Sequence, residues 1–207
     1  MKEMIHLPTP ARTGGMSLAD ALAGRRTIRS FASHPLSQAQ LSHLLWACYG
    51  VSDSRSGART APSAGALYPL DCYLVVGAHG VEGLEAGVFH YLPLEHSLEA
   101  TAQGDKRREV AQASLSQLWM AEAPIMVIIA AEYERTTGRY RERGQRYVLM
   151  EVGHVGENLF LQSVAIGLGA GIIGAFDDEA VNRALQLPDR HEPLLIVPVG
   201  YPADRSS

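Results

Sequence analysis

The sequence predicts one domain of mixed helices and strands, and three stretches support this prediction. Residues from about 146 onward carry apolar side chains on nearly every face of a helix, which is typical of a buried helix. Residues 123–133 form a largely apolar run, as expected for a central strand in a sheet covered on both faces. The β-branched runs at 72–78 and 88–91 predict two strands that pair as a meander.

Length and charge limit the classes of protein to which the chain can belong. Its 207 residues, 46% of them hydrophobic, suffice for one sizeable core. A formal net charge of -4 argues against a general nucleic-acid binder, although basic clusters remain at 25–29 and 139–146. The apolar run at 123–131 is shorter than the roughly 20 residues that a membrane-spanning helix needs. We therefore expect neither a nucleic-acid partner nor a membrane.

The two cysteines, Cys48 and Cys72, are isolated in the sequence. Neither belongs to a CxxC motif or to a spacing of histidine and cysteine that is typical of a metal site. We interpret them as reduced thiols of a cytoplasmic protein, with a disulfide between them as the alternative. No metal site is predicted.

The domain is expected to span residues 17–207, after a flexible N-terminal arm at 1–16 that lacks the apolar core of a signal peptide. Ser17 and Asp20 have the spacing of a helix N-cap and predict a short amphipathic helix that ends near Gly24.

The segment RRTIRSF, at residues 25–31, follows this helix. If it is extended, Arg25, Thr27 and Arg29 project to one face. Two guanidinium groups and a hydroxyl on one face suit a phosphate. The alternative is a solvated basic edge, which protects an extended segment from aggregation.

A second helix is predicted from the N-cap candidate Ser37 to Gly50, and a polar loop of small residues follows at 52–66. The loop ends in PSAGALYPL, which offers backbone donors with little side-chain bulk. Such a segment suits a flat ring with carbonyl acceptors on its edge, although it also fits a simple turn.

The second half of the chain continues this alternation of elements. A helix is predicted at 105–120, a shorter one at 177–185 and a strand at 194–202. The charged segment at 134–147 is either a mobile cover over a site or a solvated connector.

Glycines mark the long helix and the turn after it. Gly153, Gly156 and Gly167 each cost roughly 1 kcal/mol inside a helix, which indicates the close approach of another helix backbone. Residues 172–176 then form a strand or a turn that exposes its backbone, and a ligand could lie against it.

Five motifs occur in order along the chain: RRTIRSF, PSAGALYPL, RYVLMEVGHVGENLFLQSVAIGLGAG, GIIGAF and VGYP. Together they resemble the nitroreductase family of FMN-dependent oxidoreductases, over residues 18–202. The PSAGALYPL and EVGH features are most similar to its SagB-type branch, which includes thiazoline and oxazoline dehydrogenases.

The resemblance implies an α+β fold in which a mostly antiparallel central sheet is wrapped by helices. It also implies an intertwined homodimer, with the long helix and two FMN sites at the interface. Three segments would bind FMN. The residues are Arg25, Arg26, Thr27 and Arg29 at the phosphate and ribityl chain, Pro62, Ser63, Ala64 and Gly65 from the other subunit, and Ile172, Ile173, Gly174 and Ala175 near flavin N5.

The activity implied is hydride transfer from NAD(P)H through flavin N5 to a flat small-molecule acceptor such as a nitroaromatic or a quinone, with donor and acceptor bound in turn. The protein would supply donors to the flavin edge and a slot for the substrate, without a side-chain nucleophile. Tyr68 and Tyr147 are candidates to donate a proton or to stack on a substrate. Arg143 and Arg146 are candidates to bind a nucleotide phosphate.

Two alternatives remain, namely an azoline dehydrogenase that acts on a modified peptide and a non-catalytic flavin-binding module. His154 is expected to be an interior or interface histidine rather than a general base. Many family members have a C-terminal extension whose basic residues return to the FMN phosphate, and Arg205 is the residue here that could take that role.

Overall fold

The structure of the protein, a computed structural model, describes residues 4–11 and 15–203. The candidate phosphate contact Arg205 therefore lies outside the described residues. The predicted arm at 1–16 contributes a short strand to the sheet, which its sequence does not predict.

A seven-stranded antiparallel sheet forms the centre of the fold, in the order β1-β6-β5-β4-β7-β9-β8. This confirms the mostly antiparallel sheet that the resemblance implies. The strands are β1 (Met4–His6), β4 (Leu70–Val76), β5 (Gly87–Leu92), β6 (Ser97–Gln103), β7 (Ile125–Ala131), β8 (Gly169–Ala170) and β9 (Glu192–Gly200), and a separate hairpin pairs β2 (Val51–Asp53) with β3 (Ala58–Arg59).

Six α-helices pack around the sheet in the described part of the chain. They are α1 (Leu18–Gly24), α2 (Gln38–Tyr49), α3 (Arg107–Ala113), α4 (Glu134–Tyr140), α5 (Arg143–Ala165) and α6 (Asp178–Leu185). Short 3-10 turns lie at Ala64–Ala66 and Leu118–Glu122. None of the helices described is long and apolar enough to cross a membrane.

Strand β7 is buried along its whole length because helices cover both faces of the sheet. Its residues 125, 127, 129 and 131 pack into one core with α2 and α5, whereas 126, 128 and 130 pack into a second core with α3 and α6. Alternate residues of a strand face opposite sides, so a strand with two buried faces is apolar throughout. This confirms the prediction for the run at 123–133.

Three predicted helix starts are confirmed by their caps. The hydroxyl of Ser17 accepts a hydrogen bond from the Asp20 N–H, and Ser37 forms a reciprocal capping box with Gln40. The carboxylate of Asp177 accepts from the Ala180 N–H at the start of α6.

Other elements differ from the predictions. The helix predicted at 105–120 ends at Ala113, since Leu115 and Ser116 adopt left-handed φ values of 55° and 57°. The predicted loop at 52–66 includes the β2–β3 hairpin, and strand β6 was not predicted. The charged segment at 134–147 was interpreted as a mobile cover or a connector, but it forms α4 and the first turn of α5.

Helix α5 begins three residues earlier than predicted, and only one side of it is buried in the single chain. Leu149 and Met150 are 56% and 54% exposed, so the prediction of burial all round is wrong for the isolated subunit. The close approach at Gly156 is made by a side chain of the sheet, since a β-carbon there would lie 2.8 Å from Leu195 Cδ2. Gly167 lies beyond the helix, at a φ of 77° that favours glycine.

The two cysteines lie side by side although they are distant in the sequence. Cys48 of α2 and Cys72 of β4 are both buried free thiols, and their sulfur atoms are 3.6 Å apart. The expectation of reduced thiols agrees with this arrangement, and the fold brings together two cysteines that are isolated in the sequence.

Replacing Leu159 with alanine tests the packing of α5 on the sheet. Leu159 is fully buried, so we expect Leu159→Ala to lower the free energy of unfolding by about 2–5 kcal/mol. Leu94 is 74% exposed in a turn, and Leu94→Ala should change the same quantity by no more than about 0.5 kcal/mol. Urea denaturation followed by circular dichroism measures both values, and equal losses would contradict the assigned core.

Candidate functional site

The arginine-rich segment at 25–31 lies against the turn that follows α5. The Ile28 N–H donates to the Ala170 carbonyl at 2.8 Å, and Thr27 pairs with Ala170 in a parallel bridge. A β-carbon at Gly169 would lie 2.6 Å from Ile28 Cγ1, so the absence of a side chain permits this approach. Two of the three segments proposed to bind FMN are thus adjacent in one chain.

The three arginines of this segment have different surroundings. The guanidinium of Arg25 lies 5.5 Å from the centre of the Phe160 ring, and its Nε is 3.4 Å from a Glu157 carboxylate oxygen. Arg29 lies 5.9 Å from the ring centre of Trp119. Both can reach solvent, since Arg29 is exposed and the Arg25 side chain is 40% exposed.

Arg26 differs from its neighbours because its guanidinium is already bonded to backbone. Its Nη1 donates to the carbonyl oxygens of Ala23 and Arg25, at 2.9 and 2.7 Å. These carbonyls lie at the C-terminal end of α1, where a cation is favourable. In the described structure Arg26 therefore stabilises the end of α1. The next residue, Thr27, is exposed.

The turn at 171–175 alternates between amides bonded to the sheet and amides left unbonded. The Gly171 N–H donates to Pro198 at 3.0 Å, and the Ile173 N–H donates to Ile196 at 2.9 Å. Within the described residues, the N–H groups of Ile172, Gly174 and Ala175 make no hydrogen bond, and all three residues are exposed. Ile173 was grouped with them by sequence, but its amide and its buried side chain serve the sheet.

The PSAGALYPL segment forms a turn of unusual backbone geometry. Gly65, Ala66 and Tyr68 have left-handed φ values of 64°, 53° and 48°, and the two non-glycine residues each carry a strain of roughly 1 kcal/mol or more. The Ser63 hydroxyl accepts from the Tyr68 N–H at 2.9 Å and closes the turn. Pro62 and Gly65 are exposed, and Ser63 and Ala64 are half-buried.

The side chains of α4 lie over this turn. A β-carbon at Gly65 would lie 2.7 Å from the Tyr140 hydroxyl. The Tyr140 ring meets the Tyr147 ring edge to face at 5.2 Å. The left-handed φ of Gly65 favours glycine, and a side chain there would also displace the Tyr140 hydroxyl.

A buried carboxylate, Glu151, supports the turn from below and was not identified from the sequence. Glu151 is 2% exposed, and it accepts a 2.5 Å hydrogen bond from the Tyr49 hydroxyl. It also interacts with the Ser63 side chain. The guanidinium of Arg59 lies against the rings of both Tyr49 and Tyr68, at 4.2 and 4.5 Å from their centres.

Burial of this cluster raises the pKa values of Glu151 and Tyr49. Desolvation raises the pKa of Glu151 above its usual value, although hydrogen bonds from Tyr49 and Ser63 act in the opposite direction. The pKa of Tyr49 is raised by its own burial and by the nearby carboxylate of Glu151. The sequence signal that could have revealed this cluster is Glu151, the charged first residue of EVGH within an otherwise apolar helix pattern.

The remaining candidates lie nearer the surface. Tyr68 packs edge to face on Tyr49 at 6.1 Å, and Arg143 and Arg146 are exposed in the first turns of α5. His154 is exposed in the single chain, so it is not an interior histidine, and its place at an interface stays a prediction.

The PSAGALYPL turn and the segment at 25–31 contact α5 at different positions. The PSAGALYPL turn contacts α5 at Glu151, whereas Arg25 contacts α5 at Glu157 and Phe160. Six residues of helix separate the first two contacts by about 9 Å along the axis. That the turn reaches the flavin of a second subunit stays a prediction.

Comparisons with known proteins agree with this architecture. The model of the Nitroreductase family matches residues 22–201. A Methanocaldococcus jannaschii protein named provisionally as a nitroreductase is 46% identical over 185 residues, which cover 89% of this chain and 91% of that protein. A crystal structure of a Ralstonia eutropha protein, also provisionally named a nitroreductase, has a TM-score of 0.84 at 30% identity and covers 98% of this chain and 90% of its own.

A further relative is named as a processing protein. The microcin B17-processing protein McbC of Escherichia coli is 31% identical over 167 residues, or 78% of this chain. The match spans 61% of McbC. This similarity places the chain near the SagB-type branch.

The change Glu151→Gln tests the buried carboxylate. Because the folded-state pKa of Glu151 is raised, the native chain binds more protons than the unfolded chain, and stability falls as pH rises from the unfolded pKa through the folded one. Glutamine does not titrate and can still accept from Tyr49. Urea denaturation at several pH values from 4 to 8 should therefore show Glu151→Gln gaining stability relative to wild type as pH rises.

The matched control is Glu142→Gln, since Glu142 is exposed just before α5. Its difference from wild type should stay nearly constant over the same pH range. A constant difference for Glu151→Gln as well would contradict the assigned burial.

Proposed function

Because the chain belongs to the nitroreductase family, we propose that it is an FMN-dependent oxidoreductase that transfers a hydride from NAD(P)H through flavin N5 to a flat acceptor, such as a nitroaromatic or a quinone. The observation that carries the proposal is the contact of the 25–31 segment with β8 at Ala170, directly before the 171–175 turn. This contact connects the segment that carries Arg25 and Arg29 to the turn in which the N–H groups of Ile172, Gly174 and Ala175 make no hydrogen bond.

The residues present fit FMN by their chemistry. Arg25 and Arg29 would hold the dianionic phosphate by charge-assisted hydrogen bonds, and Thr27 would add a hydroxyl. Arg25 would exchange its contact with Glu157 for the phosphate. The unbonded amides of Ile172, Gly174 and Ala175 are neutral donors suited to the polar edge of the ring.

The bound FMN would supply the hydride chemistry, and the chain would supply binding, orientation and donors. The strained turn at Pro62, Ser63, Ala64 and Gly65 would approach the ring from a second subunit. Tyr68 and Tyr147 remain candidates to stack on the substrate or to donate a proton. Arg143 and Arg146 are exposed and free to meet a nucleotide phosphate.

A homodimer formed through the exposed side of α5 is part of this proposal. Met150, His154, Leu161 and Ala165 lie on one stripe of the helix, at spacings of four, seven and four residues. The stripe leads into a groove of about 500 Å³ between α1, α2 and α5, which is lined largely by apolar residues such as Leu18 and Trp46. A second copy of the chain would cover this apolar surface.

The second candidate is an FMN-dependent azoline dehydrogenase acting on a modified peptide, favoured by the similarity to the microcin B17-processing protein McbC. A non-catalytic flavin-binding module is the third. All three predict FMN binding, and they differ in the electron donor and in turnover.

The visible absorption spectrum separates these candidates. The purified protein should be yellow, and its flavin absorbance should bleach within seconds when NADPH or NADH is added without oxygen. A yellow protein that does not bleach would favour the azoline dehydrogenase if a peptide substrate reduces it, and otherwise the non-catalytic module. A colourless protein that FMN cannot reconstitute would overturn all of them.

The double change Arg25→Ala with Arg29→Ala should remove FMN while leaving the fold intact. Loss of two charge-assisted hydrogen bonds of about 1.5–3 kcal/mol each predicts FMN binding weakened by about 100-fold or more. The flavin-to-protein absorbance ratio after gel filtration measures the loss.

The control is Arg108→Ala with Arg183→Ala, which removes the same charge from the exposed surfaces of α3 and α6. This variant should retain its flavin. Stoichiometric flavin in the Arg25/Arg29 variant would contradict the phosphate assignment.

Met150→Glu tests the dimer. A buried charge at the interface should turn a dimer into a monomer in sedimentation velocity, with loss of FMN as the shared site opens. Leu94→Glu introduces the same charge at a turn that is 74% exposed and should leave the dimer unchanged. A dimer of unchanged stability in Met150→Glu would place the interface elsewhere.

A further inference from the structure

Three potential metal ligands meet at one end of the sheet, although they are about 60 residues apart in the sequence. Asp71 lies in β4, Glu132 directly follows β7, and His191 directly precedes β9. These strands are neighbours, and the pairing of β7 with both others brings the three residues to the same end. Their distance in sequence explains why no metal site was predicted.

The distances within this cluster match those around a single ion. His191 Nε2 lies 3.5 Å from Asp71 Oδ2 and 3.7 Å from Glu132 Oε2. One ligand atom from each residue lies within 4.8 Å of the other two. Ligands at about 2.1 Å from a tetrahedral Zn²⁺ are roughly 3.4 Å from each other, so small rotations would close the site.

His191 is oriented as a ligand but has no partner at its ligating nitrogen. The residue is 3% exposed, and its Nε2 is buried without a hydrogen bond. Its Nδ1 lies 2.7 Å from the Tyr73 hydroxyl, which fixes the ring. Histidine ligands commonly bind a metal through one nitrogen while a hydrogen bond at the other holds the ring.

Asp71 is held in the same way by a neighbouring side chain. Its Oδ1 lies 2.8 Å from His90 Nε2, whereas the buried Oδ2 faces His191. Tyr73 thus holds His191 in place, and His90 holds Asp71. The rings of Tyr73 and His90 stack with their centres 4.8 Å apart.

An acidic cleft leads from solvent to the cluster. It has a volume of about 300 Å³ and is bordered by both Glu132 and His191. Its other carboxylates are those of Glu134, Asp178, Glu179, Asp189 and Glu192, with Arg190 as the opposing cation. Asn182 Oδ1 also borders the cleft and is buried without a hydrogen bond. Such a cleft attracts cations and offers further oxygen donors.

We propose that Asp71, Glu132 and His191 bind a divalent transition-metal ion, for which Zn²⁺ suits the set of two carboxylates and one imidazole. The ion would link the ends of three central strands, and a water molecule or Asn182 would complete its coordination. The proposal does not depend on the flavin site, since none of these residues belongs to it.

Two arginines compete for this position: Arg190, whose Nε is 3.4 Å from Glu132 Oε1, and Arg135, which contacts both carboxylates. The Arg135 guanidinium places Nη1 2.9 Å from Asp71 Oδ2 and Nη2 2.6 Å from Glu132 Oε2. The side chain extends from α4 and is 32% exposed, so it can turn toward solvent when an ion binds. Removal of Arg135 should therefore strengthen metal binding.

The test is titration of chelator-treated full-length protein with Zn²⁺ by isothermal calorimetry, with the melting temperature measured in parallel. We expect one ion per chain. At a metal concentration 100-fold above Kd, Tm should rise by about 5–10 °C. Co²⁺ bound in place of Zn²⁺ should give visible absorption bands, which Zn²⁺ does not.

Variants assign the binding to this cluster. His191→Ala and the nearly isosteric Glu132→Gln should each weaken Zn²⁺ binding at least 10-fold, whereas Arg135→Met should tighten it at least 10-fold. His34→Ala removes an exposed histidine elsewhere and should leave binding unchanged.

Three results would overturn the proposal. Absence of Zn²⁺ binding in wild type and in Arg135→Met would identify the cluster as an ion-pair network alone. Binding in Arg135→Met only would mean that the guanidinium is the resident cation of the natural protein. Unchanged binding in both His191→Ala and Glu132→Gln would place the ion elsewhere.

Discussion

The burial of β7 on both faces is the constraint on which the rest of the structure depends. A strand without a polar face must be covered twice, so the chain needs one helical layer on each side of the sheet. Helices α2 and α5 form one layer, and α3 and α6 form the other. This arrangement sends the chain from the end of α5 back to the sheet edge at β8 and on to β9, and the exposed turn at 171–175 lies on that path.

The candidate site follows from the same geometry. Bonding of alternate amides to β9 anchors the turn, which leaves the intervening amides directed away from the sheet. The segment at 25–31 pairs with β8 and so brings its arginines to the same edge. In the first half of α5, the buried Glu151 supports the strained turn at 63–68. One helix thus contacts both candidate elements, the turn at 63–68 and the segment at 25–31.

The sequence predicted the parts of the fold that depend on local rules. Ser17, Ser37 and Asp177 act as caps within a few residues of their partners, and the apolar run of β7 needs no knowledge of its neighbours. The break after Ala113 has no glycine or proline to mark it, because Leu115 and Ser116 adopt left-handed conformations that their residue types rarely take. The clusters around Glu151 and His191 could not be predicted, since each joins residues from three or more distant segments. The motif order predicted which segments adjoin, but not that the Ile173 amide would be used by the sheet.

The buried thiols of Cys48 in α2 and Cys72 in β4 can be used to measure how often α2 separates from the sheet. Both sulfur atoms are shielded from solvent, so an alkylating reagent can reach them only when the helix separates from the sheet. The rate of thiol labelling under native conditions would therefore measure how often this layer opens. Because the same layer includes α5, any ligand that binds against α5 and stabilises this layer would lower the labelling rate.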